Sequence, residues 1–293
     1  MAVETIFQAN LNADKIYIDM TYLPDPIMHK FFITIKNQSL STLYFKIIVN
    51  IPNWSLDTPP DGKLGSVGAG GTGTPTIVIA RAKPEAETVD DGNITIEAYT
   101  DSNYTSKISE DTLNVTIYIE DLENWTYVQK FDFDDGTDQG WSGGEVRDEI
   151  SVEPAGYSYR TSTFRVVGKT TSTGDRSISR SITLPNTNKI RLSQFVALEY
   201  TGQYGGDYGQ LVGVSVKVND AEVFKLSGVA LSKSGSGHGY STRWIKLTAD
   251  LSDYRGQTVT ITITYTLRVY ASVQGYYVWL YAIVDRIVIA GKD

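Results

Sequence analysis

Hydrophobic and polar positions alternate along much of this chain with a period of two. Residues 43–51 set Leu43, Phe45, Ile47, Val49 and Ile51 against Tyr44, Lys46 and Asn50, with Ile48 out of pattern. Residues 113–119 repeat the arrangement, with Leu113, Val115, Ile117 and Ile119 against Asn114, Thr116 and Tyr118. The longest case is 258–270, where Val259, Ile261, Ile263, Tyr265, Leu267 and Val269 alternate with five threonines and Arg268. Successive side chains of a strand point to opposite faces, so this pattern predicts strands with one buried and one wetted face. Further strands are predicted at 15–22, 30–36, 76–82 and 93–100, then at 127–133, 157–168, 176–184, 189–200, 211–218, 221–227, 242–248 and 276–289. Asn219-Asp220, between Val212–Val218 and Val223–Leu226, reads as a tight hairpin turn. Good helix formers never cluster at the helical period.

Charge divides the chain. Residues 1–126 hold 8 Lys+Arg against 17 Asp+Glu, and residues 127–293 hold 18 against 17. A shift of that kind marks a domain boundary. Six or seven short strands before it predict an immunoglobulin-like β-sandwich over 1–125. Eight or nine longer ones after it predict a β-jelly roll over 126–293. The fold class is therefore all-β. Between the early strands, the glycine-rich run from Gly62 to Thr74 lacks the Gly-Lys-Ser/Thr ending of a phosphate loop and is expected to be a flexible loop.

Composition narrows the chemistry. The chain has no cysteine and only two histidines, His29 and His238. Thiol nucleophiles, cysteine-bound metals, disulfides and a histidine-based triad are thereby set aside. A glycan hydrolase would need two carboxylates across a cleft, and no spacing identifies such a pair. The chain is expected not to be an enzyme. Neither half is basic enough to attract a phosphate backbone, so no nucleic-acid partner is expected. No run approaches about eighteen apolar residues, so no membrane span is expected. Met1–Phe7 has no basic segment leading into an apolar one, and no signal peptide is expected.

The second half resembles a known superfamily. Phe131-Asp-Phe-Asp-Asp-Gly-Thr-Asp-Gln-Gly-Trp141 is similar to the opening strand of galactose-binding-domain-like jelly rolls, which include many carbohydrate-binding modules. Trp244–Ile261 is similar to their late strand, turn and strand, and Tyr281-Ala-Ile-Val-Asp-Arg-Ile-Val-Ile289 to their closing strand. The resemblance covers about 127–291 and describes a fold, not a ligand. It implies a structural calcium held by Asp132 or Asp134 with Asp285; the plainer reading is a solvated acidic turn at 134–138. No other cofactor is expected.

Two segments have the composition of adaptable binding loops, Tyr200–Gln210 and Ser232–Tyr240, in which tyrosines sit among small polar residues. Tyr204, Tyr208, His238 and Tyr240 are the candidate ligand-binding residues, against a reading in which the tyrosines merely pack locally. Glycosylation sequons are uneven. Asn37, Asn53, Asn93, Asn103, Asn114 and Asn124 all head Asn-x-Ser/Thr triplets, six of the first half's nine asparagines, and none of the three later asparagines does. The excess predicts a glycan-bearing, outward-facing first domain.

Two functions fit. An immunoglobulin-like module followed by a jelly roll resembles turret, spike or fibre proteins of archaeal icosahedral viruses. That implies a homo-oligomeric structural protein on a virion surface, contacting other structural proteins or host glycans. The alternative is a carbohydrate-binding accessory module of a secreted or cell-surface protein.

Overall fold

The computed structural model describes residues 6–133, 135–147, 163–169, 174–201, 209–233, 240–242, 244–269 and 279–293. The all-β expectation holds: among the described residues only two single-turn 3₁₀ segments interrupt the strands. The chain forms two units, Met1–Glu120 and Asp121–Asp293.

The first unit contains β1 (Phe7–Leu11), β2 (Lys15–Asp19), β3 (Ile27–Asn37), β4 (Leu43–Asn50), β5 (Ser55–Thr58), β6 (Lys63–Val67), β7 (Thr72–Gly73), β8 (Thr76–Arg81), β9 (Thr88–Tyr99) and β10 (Lys107–Glu120). One sheet runs β1-β3-β8-β5, with β7 added to β3, and the other runs β2-β10-β9-β4-β6. Among the described residues of this unit only the β2–β10 pairing is parallel. The inward residues of the two sheets form one core, in which Phe31, Ile77, Ile79, Ile94, Ile96 and Ile117 are fully buried. Burying each such side chain stabilises the fold by roughly 1.5–3 kcal/mol. Phe7 and Phe45, from opposite sheets, meet edge to face at 5.2 Å. Ile48, the residue out of pattern, faces outward and is exposed.

The Gly62–Thr74 run is not the flexible loop expected from its glycines. Lys63–Val67 pairs with β4 and Thr72–Gly73 with β3. Gly62 makes this possible: its φ is +72°, and a Cβ there would lie 2.6 Å from the Ile47 carbonyl oxygen. The glycines permit a close strand crossing that a composition argument reads as looseness.

The second unit begins before the charge boundary. Leu122 and Trp125 pack on Val288 and Ala290, so residues 121–125 belong with the later strands, not with the 1–125 sandwich. Its strands are β11 (Tyr127–Phe131), β12 (Glu145–Arg147), β13 (Thr163–Lys169), β14 (Gly174–Thr183), β15 (Lys189–Thr201), β16 (Gly209–Val218), β17 (Ala221–Lys233), β18 (Tyr240–Ser241), β19 (Ile245–Asp250), β20 (Thr258–Val269) and β21 (Trp279–Lys292). Every pairing among the described residues of this unit is antiparallel. β21 lies between β15 on one side and β11 and β13 on the other, and a second sheet runs β14-β20-β16-β17. The two layers pack on one another, and between them the Tyr265 hydroxyl donates to Gln194 Oε1 at 2.6 Å, both residues being buried. The Asn219-Asp220 turn has φ of +48° and +67°, the left-handed pair that matches strand twist in a two-residue hairpin.

Candidate functional site

Strand register gathers several strand ends of the second unit at one end of the sandwich, while the 148–162 connection leaves from the opposite end of β13. Thr201 pairs with Trp279, Lys169 with Trp279, and Tyr200 with Tyr240 in the first sheet. In the other sheet Gly174 pairs with Leu267, and Gly209 with both Val269 and Lys233. The connections 170–173, 202–208, 234–239 and 270–278 therefore all leave from the same end of the sandwich. By sequence they carry Tyr204, Tyr208, His238, Tyr270, Tyr276 and Tyr277. Gly209 sets how closely the layers meet here, since a Cβ on it would lie 2.7 Å from Leu280 Cδ2.

Of the predicted ligand-binding residues, Tyr204, Tyr208 and His238 lie outside the described residues. Tyr240 belongs to strand β18, paired with Tyr200, and Ser232 and Lys233 belong to β17, so the second predicted loop is shorter than expected. The 270–278 connection was missed as a partner of the other two. The strand registers that place Val269 and Trp279 reveal it, and hydrophobic alternation carries no register.

Of the predicted calcium residues, Asp134 lies outside the described residues. Asp132 is half-buried and accepts a hydrogen bond from Gln139 Nε2 at 3.3 Å. Asp285 is fully buried in β21. There the register slips by one residue between Ser193 and Phe195, leaving Arg286 at φ +48°. Such a bulge re-aims neighbouring side chains. Asp285 turns into the core, while Arg286 reaches Glu123 Oε1, with Nε at 2.9 Å. A fully buried carboxylate suits a hard cation, yet no group of three Asp, Glu, His or Cys side chains converges among the described residues. Phe131 and Trp141 from the opening motif meet edge to face at 5.8 Å in the core, with the Arg180 guanidinium 4.3 Å over the Phe131 ring. The motif's aromatic residues are structural.

The sequons separate by environment. Asn37 is fully buried, and its Nδ2 donates to the carbonyls of Ser41, Val67 and Gly68 at 2.8–3.0 Å. The folded unit has no room for a glycan on that nitrogen, so the expectation at Asn37 is corrected: its amide ties β3 to the glycine-rich crossing. Asn53, Asn103, Asn114 and Asn124 are exposed and Asn93 is half-buried. Asn124 Nδ2 donates to Asp121 at 2.6 Å. Asn103 tips a rigid turn, in which the Asp101 carboxylate accepts from the backbone amides of Asn103, Thr105 and Ser106. Beside that turn Tyr104 lies edge to face with Tyr99 at 5.5 Å and Tyr44 at 6.2 Å. Glu97 joins this cluster, accepting from Tyr99 at 2.6 Å and Lys107 at 2.7 Å. Burial would raise the Glu97 carboxyl, but those two donors more than offset it and hold it below the usual carboxylate range.

No protein-family model matches the chain. No curated protein matches it either. Among solved structures, the mannan-recognising carbohydrate-binding module TmCBM27 is similar over 57% of this chain and 100% of its own, at 10% identity and a TM-score of 0.32. The K3 cleaved adhesin domain of Lys-gingipain from Porphyromonas gingivalis is similar over 56% of this chain and 98% of its own, at 14% identity and TM-score 0.31. The chain spans 49% of the secreted serine protease VesC from Vibrio cholerae, which covers 95% of this chain at 10% identity and TM-score 0.25. At these values the likeness is that of β-sandwiches in general.

Proposed function

We propose that the protein is a non-catalytic glycan-binding surface protein whose second unit engages its ligand at the end of the sandwich from which the four connections leave. The observation that carries this is the register that gathers those strand ends, because sequence puts tyrosine, histidine, glycine and serine in the segments between them. Tyrosine offers a ring face and a hydroxyl with few rotatable bonds, a suitable surface for a sugar. The setting proposed is a virion surface, as a turret, spike or fibre subunit in a homo-oligomer touching structural proteins or host glycans. The carbohydrate-binding accessory module of a secreted or cell-surface protein remains the second setting, and gene neighbours separate the two. Asn53, Asn103 and Asn124 are the proposed glycan acceptors.

The test is a glycan array probed with the full chain and with Tyr204→Ala/Tyr208→Ala. Saturable binding weakened at least tenfold by the double substitution supports the reading. Absence of binding to any glycan contradicts it. Calcium is proposed at Asp285 with Asp132 or Asp134. The expected outcome is a higher melting temperature in millimolar calcium than in chelator, and equal melting temperatures would exclude the ion.

A further inference from the structure

The outward face of the β2-β10-β9-β4-β6 sheet carries side chains that folding does not require. Register places Asn50 beside Asn93 and Asn93 beside Asn114, so three amides form one rung across three adjacent strands. Asparagine is a poor strand residue. Asn50 Nδ2 donates to Asn93 Oδ1 at 3.1 Å, which leaves the Asn93 NH₂ and the whole Asn114 amide without a protein partner among the described residues. Each amide offers two donors and two acceptor lone pairs, the set that pairs with vicinal hydroxyls.

Four residues along the same strand lies an aromatic rung. Tyr17 and Tyr118 stack at 5.0 Å with an interplanar angle of 18°, and both are half-buried. Val89, opposite Tyr118 on β9, is 52% exposed. The two rungs are about 13 Å apart at about 3.3 Å per residue, a span of a few sugar rings. The unit as a whole holds 8 Lys+Arg against 15 Asp+Glu over residues 1–120. This face shares little of that excess: Lys15, Lys46, Lys63 and Lys107 stand against Asp91, Glu97 and Glu110, with the buried Asp19 and Glu120 two residues beyond the tyrosine rung. An uncharged ligand with hydroxyls and an apolar ring face fits it better than an ion.

We propose that this face is a second glycan-binding site, taking a neutral oligosaccharide whose ring faces lie on the Tyr17–Tyr118–Val89 rung and whose hydroxyls meet the Asn50–Asn93–Asn114 rung. It extends the glycan-binding reading to a surface on which the second unit's connections do not depend. It also makes Asn93 and Asn114 binding groups, not glycan acceptors, although both head sequons.

The full chain is titrated with a panel of neutral β-linked galacto- and manno-oligosaccharides, alongside Tyr118→Ala, Asn114→Ala and Thr116→Ala. Thr116→Ala destroys the Asn114 sequon and keeps its amide. The expected result is a loss of at least tenfold in affinity for Tyr118→Ala and Asn114→Ala and less than threefold for Thr116→Ala, with melting temperatures showing all three folded. Should Tyr118→Ala unfold, Val89→Arg at the exposed end of the rung makes the same test. Binding lost with Tyr204→Ala/Tyr208→Ala but untouched by the face variants overturns this site and keeps the second-unit reading. Absence of binding overturns both. A glycan on Asn93 or Asn114 in protein from its native host also overturns the site, as does a face variant that changes sedimentation without changing sugar binding, which would assign the face to a second copy of the chain.

Discussion

The outward face of the five-stranded sheet in the first unit and that of the four-stranded sheet in the second solve the same problem differently. Both must be wet while their other side is dry. On the second unit, β20 presents Thr258, Thr260, Thr262, Thr264 and Thr266, opposite Ser177, Ser179, Ser181 and Thr183 of β14. These hydroxyls largely close on one another: Ser177 with Thr264 at 2.8 Å, Thr183 with Thr258 at 2.9 Å, Ser142 with Ser179 at 3.0 Å, and Thr266 to Asp175 at 2.6 Å. Threonine is also a favoured strand residue, so this face follows from folding alone. On the first unit the asparagine rung runs against strand propensity, and the Asn93 NH₂ and the Asn114 amide have no protein partner among the described residues. Side chains that satisfy each other make a quiet surface, and asparagines kept against strand propensity with open donors are what the proposed binding face rests on.

The comparison can be broken from the inside first. Beneath the first unit's open face, Asp90 is buried, paired with Arg81 and accepting from Trp54 Nε1 at 2.9 Å. Asp90→Ala strands both partners and should destabilise that unit by about 3–5 kcal/mol in urea unfolding. A loss under about 1 kcal/mol would mean that the network does not hold the sheet.

Acid should act on the same unit. Desolvation lowers the His29 pKa to about 4, from 6.5, and its Nε2 is buried without a partner. The unfolded chain therefore takes the proton first. Stability is complete above about pH 6.5, falls as pH drops toward 4, and is level below that, by up to about 3 kcal/mol at ~1.36 kcal/mol per pH unit. His29→Leu should flatten that slope in pH-dependent melting.

The second unit has its own buried polar pair. Burial pushes the Tyr265 hydroxyl well above its ordinary pKa, and Gln194 Oε1 is its acceptor. Tyr265→Phe leaves that oxygen unpaired and should cost about 1–3 kcal/mol by urea unfolding. Smallest of all should be the quiet face. Thr264→Val, which removes the hydroxyl paired with Ser177, should change stability by less than about 0.5 kcal/mol and leave sugar binding unaltered.

Strand positions were legible where burial alternates cleanly, as at 43–48 and 258–268, and the Asn219-Asp220 turn was legible from its residue types. The glycine-rich crossing was not, because Gly62 and Gly73 look alike whether they loosen a loop or allow a close approach. Asn37 looked like an acceptor because a triplet says nothing of burial. The boundary slipped by five residues because charge changes at 126, while Leu122 and Trp125 are fixed by packing on Val288, far along the chain. Asn93 and Asn114 lie 21 positions apart, and nothing local to either shows that they are neighbours. Rungs belong to register, and register belongs to the fold.

The most direct test is a two-dimensional NMR titration of the full chain with the best-binding neutral oligosaccharide of the panel. It follows the side-chain amide signals of Asn93 and Asn114 together with the methyl signals of Thr260, Thr262 and Thr264. The amides should shift saturably while the threonine methyls stay in place. Shifts confined to the threonine face, or unmoved amides when sugar is bound, would contradict the account.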